Sequence, residues 1–559
     1  MDTYRAFLAI GLSFIILLGY QYFFVGPPTN GPQPADTERP APQTVAQAPT
    51  TVAPTPAATP PSFIPALSQQ AAPATPTATT REGRDITIET NLFSAVLTET
   101  GGGFKSFTLK NYRETNAPDS PPMELVQTQQ AAELPAYFSW NSSSGVQEVP
   151  LYTADKTSLS VTDNQKQETL TLKSTLSSGL IITRTLVVAS DDYLIDLTVD
   201  IHNPTDTPQP GTPSLYLTNQ PFAASDVSRF LFSGPAVMVN DTLEETKPAD
   251  LDGKTKTLSG KISWAAYEGT YFLTGVIPGD KEGQNVQLAA AGDKVSTILY
   301  PAAILVPAQA TEQYKYSLYF GPKKISILKE AKADLERIIN FGWFDVLARP
   351  TLLLLNFIYR YLHNYGLAII LVTIIIKTLF FPIAQKGMKS MRNMQKIQPK
   401  ITKLREKYKS DPTRMNQEMM NLYKTYKINP LGGCLPMVLQ IPVFFALYKV
   451  LLQAIELRHA PFMLWITDLS APDRLWVGLN LPYLGGIPVL TLLMGGSMFL
   501  QQKMTPSPAD PTQAKIMMFL PVIFTFMFLN FASGLVLYWL VNNLLSIGQQ
   551  YMINKAKDA

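Results

Sequence analysis

A lysine stands inside a run of residues that otherwise belongs in hydrocarbon. Residues 367–376 are apolar except for Thr373, Lys377 follows, and Leu379, Phe380 and Phe381 carry the run on to Pro382. An ionisable side chain within a membrane span is costly and marks a functional position by default. The competing reading is interfacial: Lys377 lies five residues before Pro382, roughly 7–8 Å of helix rise, and a lysine stem can reach that far to the headgroups. Other polar residues recur at helical spacing in the apolar half of the chain. Thr373 and Lys377 are four apart, Gln440 sits in the middle of a later apolar run, and Asn542, Ser546 and Gln549 fall on one face of the last one. No carboxylate lies in these runs. Polar side chains in a bilayer must face one another or water. The pattern therefore predicts either interhelical hydrogen bonds or a hydrophilic groove carrying Lys377 as its single charge.

Beyond Pro382 the character inverts. Residues 383–430 are dense in Lys and Arg, from Lys386 to Lys427, opposed only by Glu406, Asp411 and Glu418. Met394, Ile397, Ile401, Leu404 and Tyr408 form one helical stripe, and Met415, Met419, Leu422 and Tyr426 a second. Between them Asp411 is placed as an N-cap with Pro412 at the first helical position. The spacing predicts a helical hairpin whose stripes pack together. Its methionines suit an adaptable apolar surface, and its cations suit anionic lipid.

Several chemistries are excluded by inventory. The only cysteine is Cys434, so no intrachain disulfide forms. The three histidines, His202, His363 and His459, are not spaced as metal ligands. No phosphate-binding or nucleophile-elbow signature occurs. No catalytic, metal or cofactor residue is assigned.

The elements that must position these residues follow in chain order. Residues 1–25 read as an uncleaved signal anchor, since the run ends in bulky aromatics rather than a small-residue cleavage site. Residues 26–82 are a Pro/Ala/Thr-rich linker with almost no charge. Residues 83–322 alternate at period two between turn signals, as in 86–90, 93–98, 180–188, 193–201 and 314–320, which predicts a large antiparallel β-sandwich. Residues 323–361 switch to helical period and predict an amphipathic interfacial element. Residues 362–382 are the second span, 383–430 the hairpin, 431–553 four more spans, and 554–559 a short tail. The spans at 487–502 and 516–531 are short, about 24 Å of helix against a core of about 30 Å. Such helices thin the bilayer around them. The fold class expected is thus a multi-pass α-helical membrane protein of six spans, five of them forming a core, plus the sandwich.

The basic 383–430 arm belongs in the cytosol and the 456–483 loop outside, by the positive-inside rule. Both termini then lie in the cytosol. An apolar client-contact face is expected where Ile441, Pro442, Val443 and Phe444 follow Gln440, together with the aromatics Phe524 and Phe528 of the short fifth span.

The blocks Asn429-Pro-Leu-Gly-Gly-Cys-Leu-Pro, Gln440-Ile-Pro-Val-Phe-Phe-Ala-Leu-Tyr, Phe462-Met-Leu-Trp-Ile-Thr-Asp-Leu-Ser and Ser533-Gly-Leu-Val-Leu-Tyr-Trp resemble the YidC/Oxa family of bacterial membrane-protein insertases. The resemblance covers the whole chain, including the large periplasmic domain of the Gram-negative type. It implies a groove open to cytosol and lipid but closed to the periplasm, insertion without ATP, and a sandwich of the galactose-mutarotase-like superfold. It implies nascent membrane proteins, the Sec translocon with its accessory subunits, the translating ribosome and lipid as partners, in the bacterial inner membrane. Two positions depart from the family pattern. Lys377 stands where arginine is common, which keeps charge but gives up bidentate recognition. Trp539 stands where the family's client-contact tyrosine lies. The tail after Tyr551 is too short to favour ribosome binding. A small-solute transporter and a membrane-anchored sugar-active enzyme are the competing readings. Against the first stand the missing internal repeat and membrane carboxylate. Against the second stands a sandwich whose single histidine is His202.

Overall fold

The computed structural model describes residues 83–142, 148–162, 166–222, 231–331, 333–409, 411–426, 435–478, 485–504 and 511–555. The anchor expected at 1–25, the linker at 26–82 and the end of the tail lie outside these residues. Strands fill the region up to Pro322 and helices the region beyond Asp345.

The strands form sheets of nine, six and five strands. The hairpin Ile181–Ala189 and Leu194–His202 turns at Asp191-Asp192, and Leu194–His202 pairs on its other side with Thr311–Pro322. Along Ile181–Ala189 every second residue is buried, so Ile182, Leu186 and Val188 point into the core. Arg184 shares that inward register and is fully buried. Its guanidinium donates to the carbonyls of Gly102, at 2.7 Å, and Ala136, at 2.8 Å. The two terminal nitrogens are met by these carbonyls, while buried Nε has no hydrogen-bond partner among the described residues. Gly102 must be glycine, since it holds φ +67° and a Cβ would lie 2.2 Å from the Arg184 guanidinium.

The expected helix through 325–339 is interrupted. Ala333 and Asp334 take positive φ, which splits it into Ile325–Glu330 and a 3-10 turn, Leu335–Ile338. Leu328, Leu335, Ile338 and Ile339 are all buried on either side of the break. Helix α1 (Asp345–Leu362) follows. It buries Ala348, Leu352, Leu355 and Ile358, yet its outer face carries exposed Val346, Leu353, Phe357 and Tyr361.

Helix α2 (Tyr365–Lys407) passes through Pro382 and Pro399 without ending, so the second span and the first half of the basic arm are one element. At 43 residues it is about 65 Å long. Each proline forfeits one helical hydrogen bond, a local loss within a long run of helix formers. Helix α3 (Pro412–Thr425) turns back along it, with Asp411 accepting from the Arg414 amide at 3.0 Å as its N-cap. Ile397 and Ile401 are buried against Met394, Met419, Leu422 and Tyr423. Tyr426 leaves the stripe and takes the ammonium of Lys400 over its ring. The remaining helices are α4 (Leu435–Gln453), α5 (Val489–Met504), α6 (Pro511–Phe528) and α7 (Ser533–Lys555). Among the described residues, Tyr365–Ser390 is long and apolar enough to cross a membrane by length and composition, and Gln440–Gln453 and Ile516–Phe528 are shorter apolar helices.

The loop 455–478 ties three helix starts together. Asn364, the N-cap of α2, accepts from the Leu367 amide and donates its own amide to the carbonyl of Phe462 at 2.9 Å. Asp473 accepts from the Thr491 amide of α5 at 3.2 Å and from the Trp465 indole at 2.6 Å. At α7, Ser533 donates to the Asp468 carbonyl at 2.7 Å and Gly534 to that of Leu469. Exposed amides at helix starts favour such acceptors. The sandwich docks on the same loop. Arg458 donates to the Glu114 carbonyl at 3.0 Å and lies over the rings of Tyr271 and Phe272, while Asn116 donates to the Thr467 carbonyl at 3.0 Å.

The closeness of this lid to α2 is testable. A Cβ at Gly366 would lie 2.0 Å from the Phe462 ring, whereas one at Gly548 meets nothing within 4 Å. Gly366→Ala should lower stability by roughly 1–3 kcal/mol through overpacking, and Gly548→Ala should leave it unchanged or raised. Thermal unfolding in detergent checks both; equal melting of the two variants would show that the loop is not seated on α2.

Candidate functional site

The polar residues of the apolar helices meet on α7. Lys377 of α2 donates from Nζ to Ser546 Oγ at 2.8 Å, and Ser546 in turn donates to the Asn542 carbonyl at 2.8 Å. One turn away, Gln440 of α4 donates from Nε2 to Asn542 Oδ1 at 2.8 Å. The i, i+4 spacing of Asn542 and Ser546 thus places Ser546 against α2 and Asn542 against α4. Lys377 lies about 18 Å along α2 from Tyr365 and turns inward rather than along the helix toward an interface.

Around this ladder lies a recess lined by Thr373, Ile376, Lys377, Phe380, Ile383 and Ala384 of α2, Gln440 and Val443 of α4, and Tyr538 and Asn542 of α7. None of these is acidic, so the ammonium has a hydroxyl partner but no counter-ion in the recess. The cavity is about 40 Å³, space for about one water. The recess is therefore narrow, and Lys377, Ser546, Gln440 and Asn542 are hydrogen-bonded to one another. Thr373 lines the recess but spends its hydroxyl on the Ile369 carbonyl of its own helix at 2.6 Å. Gln549 sits beyond the recess, at 3.4 Å from the Phe381 carbonyl.

The expected client-contact face divides. Ile441 is 47% exposed, but Val443 is 9% and Phe528 2% exposed. Pro442 is half-buried. Trp539 gathers Phe444, Phe524 and Phe528 within 4.8–5.9 Å between ring centroids, and Phe528 stacks on Phe531 at 4.8 Å. Val443 and Phe528 are thus core residues, a correction to the sequence reading. The cause is helical period: on α6, Pro521 and Phe528 point inward, while Phe519, Val522 and Phe526 face out.

Sequence reasoning missed the second polar face of α7. Asn543 donates to Ser497 Oγ of α5 at 3.0 Å, and Gln550 to the Met504 carbonyl at 2.6 Å. The doublet Asn542-Asn543 was the available signal, since adjacent residues on a helix point about 100° apart. It also assigned no role to Asp468 and Asp473, which hold the lid. Half-buried Glu456 belongs to that region; desolvation pushes its carboxyl pKa up, against Lys324 and the Asn356 amide.

The periplasmic-domain model of the YidC family matches residues 85–354, and the model described as 60Kd inner membrane protein matches residues 357–559. The membrane protein insertase YidC of Syntrophus aciditrophicus is 43% identical over 554 residues, 99% of each chain. That of Geotalea uraniireducens is 42% identical over 557 residues, again 99% of each. Among solved structures, an active YidC insertase with its first transmembrane domain resolved aligns at 18% identity and a TM-score of 0.36, over 84% of this chain and 93% of that one. A galactose mutarotase-like protein from Lactobacillus casei aligns at 12% identity and a TM-score of 0.30, over 42% of this chain and 99% of that one.

The division of the aromatic face sets an expectation for α6. Phe528→Ala should lower stability by about 3 kcal/mol, as large-to-small changes in a packed core do. Phe526→Ala should cost little, its ring being 71% exposed. Unfolding of the two variants in the same detergent decides it; matching losses would place both rings in one environment.

Proposed function

The chain belongs to the YidC family of membrane protein insertases, and we propose that it admits its clients at the Lys377 recess. It is an inner-membrane protein with a periplasmic domain, and nascent membrane proteins are its substrates. The observation that carries the proposal is the bond from Lys377 to Ser546, a cation held inward between α2 and α7 with no carboxylate beside it. Such an ammonium gains by meeting an acidic group on a client's leading tail. The attraction between unit charges at 4 Å is about 1 kcal/mol in water and about 4 at an effective dielectric of 20. Partial dehydration of the recess is therefore what makes one lysine effective.

In this reading the hydrogen bonds of the ladder are exchangeable. A client's polar tail takes the places of Ser546 and Asn542 on Lys377 and Gln440, so entry replaces bonds instead of leaving buried groups unmet. The client's apolar segment then leaves past Ile441 and the exposed face of α6. The lid of loop 455–478 blocks the periplasmic end of the recess. The α2–α3 arm, with its basic surface, gathers clients on the cytosolic side. Both termini are cytosolic, α1 lies in the periplasmic interface, and the chain works alone or beside the Sec translocon. No catalytic step is required, and no sugar chemistry is assigned to the sandwich.

Substitutions at Lys377 test this. Lys377→Arg should retain insertion. Lys377→Ala should impair an acidic-tailed single-span client several-fold, about what 1–2 kcal/mol provides, and a neutral-tailed client least. Lys377→Glu should be worst for the acidic tail. Protease protection in reconstituted vesicles reads all three; equal insertion of both clients by the Ala and Glu variants would leave Lys377 a structural residue only.

A further inference from the structure

A second cavity, of about 180 Å³, lies where the sandwich, the connector and the end of α4 meet. Its floor is an ion pair. Lys323 Nζ lies 2.5 Å from Glu268 Oε2 and also donates to the Gly269 carbonyl at 3.1 Å, with both side chains under 10% exposed. Burial pushes the Glu268 carboxyl up to about 7, against the pull of Lys323. This pair is closed on itself. The walls carry one further charge of each sign, Glu245 from the sandwich and Lys449 from α4. Neither has an ion pair or side-chain hydrogen bond among the described residues. Gln453, one turn past Lys449, and Asn340 add neutral polar groups.

The surroundings say which phase reaches the cavity. Lys449 and Gln453 occupy the last turns of an apolar helix, the level at which headgroups sit. Beside the lining residue Gly342, Trp343 is 100% exposed, and the next residue, Phe344, stacks on Phe445 of α4 at 5.5 Å. A projecting tryptophan at a helix end suits the membrane–water boundary. The space corresponds to about six waters, enough for a group the size of phosphoethanolamine.

We propose that this cavity binds the headgroup of a zwitterionic phospholipid bearing a primary ammonium, with its phosphate on Lys449 and its ammonium on Glu245. A glycerol headgroup supplies the anion but nothing for the carboxylate. A quaternary ammonium cannot donate a hydrogen bond to Glu245 and is better served by an aromatic cage. The bound lipid bridges α4 to the sandwich and seats the periplasmic domain on the bilayer.

The test is native mass spectrometry of the full chain released from vesicles of equimolar phosphatidylethanolamine and phosphatidylglycerol. Retained lipid should favour phosphatidylethanolamine by about fivefold, the yield of one modest charge-assisted contact. Lys449→Gln and Glu245→Gln should each bring the ratio toward one, while circular dichroism and melting match the parent chain. Equal retention by the parent chain, a preference for phosphatidylglycerol, or variants that keep the parent ratio would overturn the proposal. Soluble glycerophosphoethanolamine at millimolar concentration should not displace the lipid; full displacement would overturn the assignment to a membrane lipid.

Discussion

Hydrocarbon offers no partner to a polar group, so every amide, hydroxyl or ammonium within it must be met by the protein itself or by a trapped water. Helix α7 is where this constraint is resolved. Ser546 meets Lys377 of α2, Asn542 meets Gln440 of α4, and Asn543 meets Ser497 of α5. Three neighbours are thus fixed in register by one helix, each through a side chain it cannot leave unpaired at low cost. Individual bonds of this kind contribute modestly, about 0.6 kcal/mol on average in membrane proteins. Their effect is to set which residues face which. In the proposed function, the same modest strength is what allows a client's polar groups to exchange into them.

The recess is bounded by opposite means at its two ends. On the lid side, Asn364 and Ser533 donate to loop carbonyls and Asp473 accepts from the Thr491 amide, which holds loop 455–478 to the starts of α2, α7 and α5. Arg458 extends that assembly to the sandwich through its bond to Glu114 and the rings beneath it. On the other side, α2 runs on as a basic helix and is met by α3 through a small apolar contact at Ile397 and Ile401. A well-bonded cap and a lightly packed arm are what entry from one side requires. The aromatic cluster around Trp539 fills the space between α4, α6 and α7, so the exposed faces of Ile441 and Phe526 lie outside a packed interior.

Much of this was legible in the sequence because it depended on period. Two-residue alternation marked the hairpin around Asp191-Asp192, and the i, i+4 spacing of Asn542 and Ser546 marked the ladder. The Asp411-Pro412 pair marked the start of α3. What period cannot report is which face turns inward when a helix is apolar all round. Phe528 and Val443 read as client-contact residues for that reason, whereas in the structure both are buried, Phe528 against Trp539. Composition also pointed to a break at Pro382, but a proline removes one hydrogen bond and α2 continues through it. The lid was hidden because its bonds join residues such as Asn364 and Phe462, which share no spacing rule.

The central claim is that a client enters the recess between α2, α4 and α7 rather than sliding along the outer surface of α2. Photo-crosslinking during insertion of a ribosome-arrested single-span client tests it directly. The probe is placed at Ala384, which lines the recess, and at Leu379, which is 71% exposed on the outer face. The expected result is client polypeptide captured at Ala384 and lipid at Leu379. Client captured at Leu379 with none at Ala384 would contradict the claim and move the path to the outside of the helix.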